Sequence, residues 1–346
     1  ISTLPISIVV GPSISLLNIL LIIITFFINF KLEQIKIEKK FLFYLLVILY
    51  VYLIFNSFIS IDYKEGIYRN LGFLRFIILF IAINLFFKIS KSQFKFLNIW
   101  SAIILIIIFD SFIEFSFGKN LLGYGDGLYA DRIVSFFKDE PIVGAYLLGF
   151  NFIIVGYFFE KFYKQNLKLK LALFLILFIL VGCILITGER SNGIKAIIGL
   201  MIFLFLNNKI SLKIKMSIFL FSLVFTGLII SNSNYLKVRY GQQLFSQLFD
   251  SNQRDQFIEN NLYLKLYKSG WAVFKDNPIF GVGNKNYRVI TTRNIETKIN
   301  DDYLLNTHPH QIYIELLSEH GLVGTIILLS IFFYLIFKNL KIIIIS

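Results

Sequence analysis

The chain alternates long apolar runs with short breaks rich in charged residues. A helix needs roughly 20 mostly apolar residues to cross a bilayer, and the sequence supplies about ten such runs. We therefore predict an all-α fold, a polytopic transmembrane helical bundle of about ten or more spans, rather than a barrel. Residues 1–12 resemble the end of an earlier helix that stops near Gly11-Pro12. The pattern predicts spans at 13–30, 41–60, 71–88, 94–117, 142–159, 170–187, 192–207, 214–231 and 320–337.

Composition supports a membrane location. Hydrophobic residues make up 57% of the 346 residues, and the mean hydropathy of +0.73 lies far above the soluble range. The formal net charge of +13 would suggest nucleic-acid binding in a soluble protein. Here much of the lysine lies in short loops, where it sets membrane orientation, so we expect membrane lipids and no nucleic acid as partners. The single cysteine, Cys183, lies in an apolar run and offers neither a disulfide framework nor a thiolate metal site.

Clusters of lysine fall in every second one of the short loops between the apolar runs. By the positive-inside rule these loops face the cytoplasm. The remaining loops then face the other side, which is the periplasm if the membrane is a bacterial inner membrane. The lysines of the first group are Lys31, Lys36, Lys39 and Lys40; Lys88, Lys91 and Lys95; Lys161, Lys164, Lys168 and Lys170; Lys209, Lys213 and Lys215; and Lys338 and Lys341. The loops of the second group are 61–70, 118–141, 188–191 and 232–310.

The longest loop divides one integrated membrane domain into three consecutive segments. Residues 1–231 are predicted to form a transmembrane helical bundle, and residues 232–310 a long, partly helical periplasmic loop. Residues 311–346 contain a motif helix and the last span. Within the long loop, residues 262–275 show helical periodicity and end at Asp276-Asn277-Pro278, a sequence typical of a helix stop.

A very short turn, Thr187-Gly188-Glu189-Arg190-Ser191-Asn192, connects two strong apolar runs. Arginine at a membrane boundary is costly unless it reaches water or meets an anion. One interpretation of Arg190 is therefore a topology-setting arginine whose head group reaches the interface. The other is phosphate binding, because a guanidinium group matches two phosphate oxygens at once.

All three histidines of the chain lie between Thr307 and Thr325, next to the last apolar run. His308 and His310 could bind a metal ion, but His-x-His without cysteine or a clear third ligand is a weak zinc signal. A neutral imidazole could instead accept a proton from a sugar hydroxyl without any metal. In the same stretch, Gly321 and Gly324 predict close packing of the motif helix against another helix.

Two further clusters could carry chemistry. Residues 276–288 join a helix stop, the Gly281-Val282-Gly283 turn and two cations, and read either as a surface turn or as a weak phosphate loop. Asp110 and Glu114 lie in or near a span, and Arg132 lies in the loop that follows. Ionisable groups at membrane depth are candidate functional residues, but a structural hydrogen bond explains them equally well.

The chain resembles the O-antigen ligase and O-antigen polymerase family of membrane glycosyltransferases. The ligase pattern is His, then Asn, Ser or Gln, nine residues, Gly-x-x-Gly, and Thr, Gly or Val. His310-Gln311, residues 312–320 and Gly321-Leu322-Val323-Gly324-Thr325 fit it at every specified position. Residues 277–283 are similar to the family's Pro-Leu-x-Gly-x-Gly turn, and residues 188–191 to its arginine-containing turn. The resemblance is strongest over about 185–337.

The resemblance implies glycan transfer on the periplasmic face, metal-independent and inverting, from an undecaprenyl-diphosphate-linked donor to lipid A core or another glycan acceptor. No cofactor is expected. The implied general base is His310, and the implied diphosphate contacts are Arg190 and Arg254. Arg254 is chosen because Tyr263 stands where family members often carry a second arginine. Possible supporting residues are His308, Gln311, Arg288, Lys268 and Arg132.

Three alternatives remain open at this point. An O-antigen polymerase would use another lipid-linked repeat as acceptor, and a protein O-oligosaccharyltransferase would use a protein. A transporter or flippase would also explain a helical bundle with polar groups inside the membrane. Transporters typically contain internal repeats and helices broken at the midplane, and neither is clear in this sequence.

Overall fold

A computed structural model describes residues 1–29, 40–89, 93–125, 132–138, 140–163, 167–242 and 250–345. These residues form helices and connecting turns, with one isolated β-bridge between Lys119 and Gly125. The helices are α1 Leu4–Val10, α2 Pro12–Asn29, α3 Lys40–Phe58, α4 Tyr63–Gly72, α5 Leu74–Ile89, α6 Gln93–Phe117, α7 Val143–Phe162, α8 Leu167–Ile186, α9 Arg190–Leu206, α10 Leu212–Ser231, α11 Asn234–Leu236, α12 Ser251–Asn260, α13 Leu262–Asp276, α14 Tyr287–Thr297 and α15 Ile312–Ile345. A 3₁₀ turn covers Ser135–Phe137, and a π-helical turn covers Lys237–Gln242.

The apolar runs become helices at the predicted positions. Seven helices of the described residues are long and apolar enough to cross a membrane, and Leu171–Ile186 forms a shorter apolar helix. The predicted stops also hold, since α1 ends at Val10 before Gly11 and α13 ends at Asp276. The all-helical fold class is therefore confirmed. The count of about ten spans stays a prediction, as does the periplasmic position of residues 232–310.

The chain divides into two compact units. Unit 1 comprises Ile1–Ile22 and Phe86–Ser251, and unit 2 comprises Ile23–Leu85 and Asn252–Ser346. This division follows packing and cuts across the predicted segments 1–231, 232–310 and 311–346. The predicted segments describe which parts of the chain span the membrane and which part lies outside it, and they stay a prediction.

Helix α8 is the centre of unit 1. It contacts α6, α7, α9 and α10. From Leu180 to Ile186 every apolar side chain is at most 3% exposed, including Cys183. A helix that is apolar on all sides is typical of a protein core or of a membrane span, and in α8 the neighbouring helices cover the C-terminal half. The short turn that follows α8 therefore begins on a tightly packed support.

Helix α15 of unit 2 is interrupted at Gly321. The backbone of Gly321 has φ 61° and ψ −163°, which is not helical. In a continuous helix, the N–H of Leu322 would bond Ser318 and the N–H of Val323 would bond Glu319. The interruption leaves two donors and two acceptors without these partners, and buried backbone groups of this kind must bond elsewhere.

The turn at Asn277–Asn284, which we call the glycine turn, supplies all four missing partners. Its carbonyls accept from the two free N–H groups, and its N–H groups donate to the two free carbonyls. The hydrogen bonds are Leu322 N to Pro278 O (2.8 Å), Val323 N to Ile279 O (3.1 Å), Val282 N to Ser318 O (3.0 Å) and Gly283 N to Glu319 O (2.9 Å). These four hydrogen bonds therefore stabilise the interruption of α15.

This exchange requires glycine on both sides of the contact. A Cβ at Gly321 would lie 2.3 Å from the Ile279 oxygen, and a Cβ at Gly281 would lie 2.4 Å from the Glu319 carbonyl carbon. Gly324 lies against the ring of Tyr52, where a Cβ would be 2.4 Å from a ring carbon. The prediction of close packing against another helix is confirmed at Gly324, which lies against α3. Gly321 packs against the glycine turn instead, and it breaks the helix.

Helix α3 fixes the glycine turn through buried polar side chains. The Tyr52 hydroxyl donates to the carbonyl of His320 (2.6 Å). The Asn56 amide donates to the carbonyl of Phe280 (3.0 Å) and accepts from the N–H of Asn284 (3.1 Å). Asn56 is fully buried. Since buried polar groups stabilise only when they are bonded, these contacts specify one position for the turn.

Candidate active site

His310 lies directly before the motif helix α15. Its φ of 56° is in the left-handed region, which is uncommon for a residue other than glycine. The side-chain oxygen of the next residue, Gln311, accepts the N–H of Ile314 (2.7 Å) and thereby caps the helix. Gln311, the residue after the histidine, therefore acts as a helix cap. The cap places His310 at the start of α15.

Two aromatic rings flank the imidazole of His310. The ring of His308 has its centroid 4.0 Å away, and the ring of Tyr263 meets His310 edge-on at 5.5 Å. His308 Nδ1 lies 2.8 Å from the Thr307 hydroxyl. His310 itself is exposed. One face of the imidazole is thus supported by neighbouring rings while the group stays accessible to a substrate.

Helix α13 packs against the segment that contains His308 and His310. Gly270 packs so closely that an added Cβ would lie 2.8 Å from Pro309 and 2.5 Å from Ile314. The Ser269 hydroxyl accepts the N–H of Leu304 (2.8 Å). Pro309 is buried between the two histidines. The left-handed backbone at His310 is therefore held by packing on one side and by the helix cap on the other.

The surroundings of His310 favour its neutral form. Its partial burial lowers the pKa below the usual 6.5, and the adjacent His308 lowers the pKa further. Glu315, one turn into α15, opposes these effects and raises the pKa. A neutral imidazole is the form that can accept a proton.

The second candidate cluster lies in unit 1, at the turn Thr187–Asn192, which we call the arginine turn. Gly188 has φ 71°, and an added Cβ would lie 2.3 Å from the Tyr235 hydroxyl. Glu189 accepts the N–H groups of Gly144 (2.6 Å) and Ala145 (3.2 Å) at the start of α7. A carboxylate at a helix N-terminus satisfies free N–H groups and meets the favourable end of the helix dipole. The arginine turn is therefore tied to both α7 and the segment after α10.

Three arginines interact around this turn. Arg190 begins α9, Arg239 donates from Nη2 to the carbonyl of Gly188 (3.2 Å), and Arg132 acts electrostatically on both Glu189 and Arg190. Burial is the main cause that lowers the pKa of Arg190, and the positive charges of Arg239 and Arg132 lower this pKa further. Burial raises the pKa of Glu189, against the effect of its hydrogen bonds and of Arg132. We call Arg132, Arg190 and Arg239 the arginine cluster.

The comparison with known proteins decides the family of this region. Residues 173–329 match the O-antigen ligase family. This segment belongs to the O-antigen ligase family. It includes the arginine turn, the glycine turn and His310. No curated protein and no solved structure matches the chain.

The O-antigen ligase family and the apolar helices together identify an integral membrane protein. The family consists of glycosyltransferase-like enzymes, and it implies lipid-linked glycans as substrates in general. Against this family assignment, the remaining predicted residues can be located one by one.

Buried carboxylates position the loop that carries Arg132. Glu114 of α6 accepts the N–H groups of Val134 (2.9 Å) and Ser135 (2.6 Å). Asp110 accepts the hydroxyl of Ser135 (2.6 Å). Both carboxylates are almost fully buried. Asp110 and Glu114 therefore have a structural role. Their hydrogen bonds fix the segment that begins at Arg132.

The same segment borders a cavity of about 820 Å³ in unit 1. Its wall is largely aliphatic and aromatic, with polar groups at Lys138 and Glu140. Aliphatic lining residues include Ile6, Val10, Ile103 and Ile107, and aromatic ones include Phe136 and Phe137. An apolar cavity of this size suits a hydrocarbon chain.

Three other cations predicted from the sequence, Lys268, Arg288 and Arg254, are not part of the arginine cluster. Lys268 pairs with Asp302 (3.2 Å) on an exposed surface, where a pair contributes about 0–1 kcal/mol. Arg288 pairs with Glu65. The side chain of Arg254 lies outside the described residues, although its backbone is part of α12. The phosphate-binding role suggested for Arg254 stays a prediction.

Sequence reasoning missed Arg239. The residue lies in a polar segment without a recognisable motif, and its contact with Gly188 joins positions 51 residues apart. The only signal in the sequence was an arginine beside Tyr240 shortly after a span. Sequence reasoning also left Tyr263 without a role, whereas its ring contacts His310.

Proposed function

We propose that the protein transfers a glycan from an undecaprenyl-diphosphate-linked donor to an acceptor sugar on the periplasmic face. The observation that carries this proposal is the arginine cluster at the arginine turn. None of its three guanidinium groups forms an ion pair with a carboxylate among the described residues. Unpaired, partly buried guanidinium groups are suited to bind phosphate oxygens.

In this proposal, Arg190 binds the donor diphosphate and stabilises the charge that grows on it as the glycosidic bond breaks. Arg132 adds to the same positive potential. The apolar cavity in unit 1 takes part of the prenyl chain. Guanidinium groups provide the neutralisation, so the reaction is expected to proceed without a metal ion.

His310 is the proposed general base. It accepts the proton of the acceptor hydroxyl while the hydroxyl oxygen bonds to the anomeric carbon of the donor. The bond from that carbon to the diphosphate oxygen breaks, and the diphosphate leaves with the electron pair. Direct displacement inverts the anomeric configuration. The lowered pKa of His310 supports this role because it keeps the imidazole neutral.

The periplasmic face follows from the distribution of lysine. The arginine turn and His310 belong to loops that alternate with the short, lysine-rich loops expected to face the cytoplasm. The loop 232–310 contains lysines of its own, but loops of that length cross the membrane largely regardless of their charge. A donor on the outer face must be lipid-linked if no sugar nucleotide is present there. We therefore propose a bacterial inner membrane as the location.

A reconstituted transfer assay tests the proposal. The purified protein receives a lipid-linked glycan together with lipid A core, a second lipid-linked repeat or an acceptor protein, each in a separate reaction. Product on lipid A core supports ligase activity. Longer lipid-linked chains indicate a polymerase, and glycoprotein indicates a protein transferase. No transfer to any acceptor would overturn the proposed function, and a rate that falls on chelation would contradict the metal-independent step.

A further inference from the structure

Helix α13 presents one face to the segment that contains the proposed base. On this face Gly270 lies against Pro309, and Val273 is fully buried. Tyr263 precedes Gly270 by about two helical turns, so it continues the same face towards the start of the helix. There the Tyr263 ring meets the imidazole of His310 edge-on, with the ring centroids 5.5 Å apart.

The first turn of α13 is fixed by a helix cap. The side chain of Asn261 accepts the N–H of Leu264 (3.1 Å), which holds this turn in place. Tyr263 lies within the turn and is 54% exposed. Its ring is therefore not a core residue, although the backbone that carries it is well defined. The ring is placed beside His310 at the surface, where a substrate can reach both groups.

A general base must be held in one orientation towards the proton that it accepts. In many enzymes a carboxylate or a carbonyl orients a catalytic histidine by a hydrogen bond to its second ring nitrogen. Among the described residues, neither nitrogen of His310 has a hydrogen-bond partner. Glu315 acts on the imidazole electrostatically instead. The contacts that restrain the imidazole are the two rings beside it, His308 at 4.0 Å and Tyr263 at 5.5 Å.

We propose that Tyr263 is a positioning residue, whose ring holds the imidazole of His310 in the orientation for proton transfer. This inference rests on the proposed function, in which His310 is the general base. The two ring planes meet at 83°, an arrangement that is favourable because the positive edge of one ring faces the negative face of the other. Tyr263 stands where family members often carry an arginine, so in this chain the position restrains the base by an aromatic contact.

Replacement of the ring tests the inference. Tyr263→Leu removes the ring, and Tyr263→Phe keeps the ring without its hydroxyl. Tyr63→Leu is the matched control, because Tyr63 also lies in the first turn of a helix, α4, and is 53% exposed. The full chain in detergent is assayed for glycan transfer. The order parameter of the His310 ring is measured by NMR relaxation of isotope-labelled histidine, with the resonance assigned from a His310→Gln sample.

We expect Tyr263→Leu to lower kcat by about tenfold to a hundredfold, because misplacement of a reacting group by about 1 Å costs up to that much. The KM values for donor and acceptor should stay close to those of the wild type. The order parameter of the His310 ring should fall in the same variant. Tyr263→Phe and Tyr63→Leu should match the wild type in both measurements.

An unchanged kcat or an unchanged order parameter in Tyr263→Leu would overturn the inference. A raised acceptor KM at unchanged kcat would do the same, because Tyr263 would then bind the acceptor rather than orient the base. An equal loss in Tyr263→Phe would assign the effect to the hydroxyl and also overturn it. If Tyr263→Leu does not fold, Tyr263→Gln decides by the same two measurements.

The outcome is separable from the proposed function. A wild type that transfers no glycan contradicts the function, while the motion of the His310 ring still shows whether Tyr263 restrains it. An active Tyr263→Leu with the kcat of the wild type contradicts this inference alone.

Discussion

Replacing Gly321 by alanine should strongly destabilise unit 2. The backbone at φ 61° and ψ −163° is adopted almost only by glycine, and another residue there costs about 1–3 kcal/mol. The new Cβ would lie 2.3 Å from the Ile279 oxygen and 2.6 Å from the Gly281 nitrogen. Both are backbone atoms, so the glycine turn must move to relieve the overlap.

Movement of the glycine turn would break its hydrogen bonds to α15. Four such bonds contribute about 0.5–1.5 kcal/mol each. We therefore expect Gly321→Ala to lower the free energy of unfolding by about 3 kcal/mol or more. This is a large share of the roughly 5–15 kcal/mol that is typical of a folded domain.

Unfolding in detergent, followed by circular dichroism during titration with a denaturing detergent, measures this loss. The matched control is Gly149→Ala in α7, where an added Cβ would have no neighbouring atom within 4 Å. Alanine in a helix interior is favoured over glycine by about 0.5–1 kcal/mol, so the control should be unchanged or slightly more stable. If Gly321→Ala unfolds like the control, the account of the interrupted helix is wrong.

The other predictions concern the two candidate clusters and the loop beneath one of them. Because His308 lowers and Glu315 raises the pKa of His310, His308→Gln should move the acid limb of the kcat/KM profile to higher pH and Glu315→Gln should move it to lower pH, both measured by initial transfer rates. In the wild type the acid limb should lie below pH 6.5. Arg190→Lys keeps the charge but loses the fork, so donor binding should weaken by about tenfold or more in a titration with lipid-linked donor. Glu114→Gln leaves one buried N–H without a partner and should destabilise the protein by about 1–3 kcal/mol in thermal unfolding.

Each of these predictions has a contradicting result. Shifts of the acid limb in the same direction for both variants would remove His310 from the rate profile. Unchanged donor affinity in Arg190→Lys would favour the interpretation that Arg190 only reaches the membrane interface. Full stability of Glu114→Gln would mean that the hydrogen bonds of this carboxylate do not hold the loop.

The helices were predictable because each depends on local sequence. An apolar run of membrane-crossing length has few alternatives to a helix, so α2, α3 and α6 lie where the pattern placed them. The stop at Asp276-Asn277-Pro278 is local too, since proline and a polar side chain both end helices. The motif residues were found for the same reason, because their spacing is contained in 16 consecutive positions from His310 to Thr325.

What the sequence did not reveal depends on contacts between distant segments. Gly321 gave a packing signal, but the exchange of hydrogen bonds with Pro278–Gly283 requires the three-dimensional arrangement. Asp110 and Glu114 looked equally suited to chemistry and to structure until their backbone partners were known. Arg239 lies outside any recognisable motif, and its contact with Gly188 joins positions far apart in sequence.

The most direct test of the account is glycan transfer by the purified protein and by His310→Ala. A lipid-linked donor and lipid A core are supplied, and both glycosylated product and released undecaprenyl diphosphate are quantified, with the product's anomeric configuration determined by NMR. The account predicts an inverted linkage from the wild type and a loss of about 10²–10⁴-fold in kcat for a correctly folded His310→Ala. A retained configuration, or near-normal transfer by His310→Ala, would contradict it.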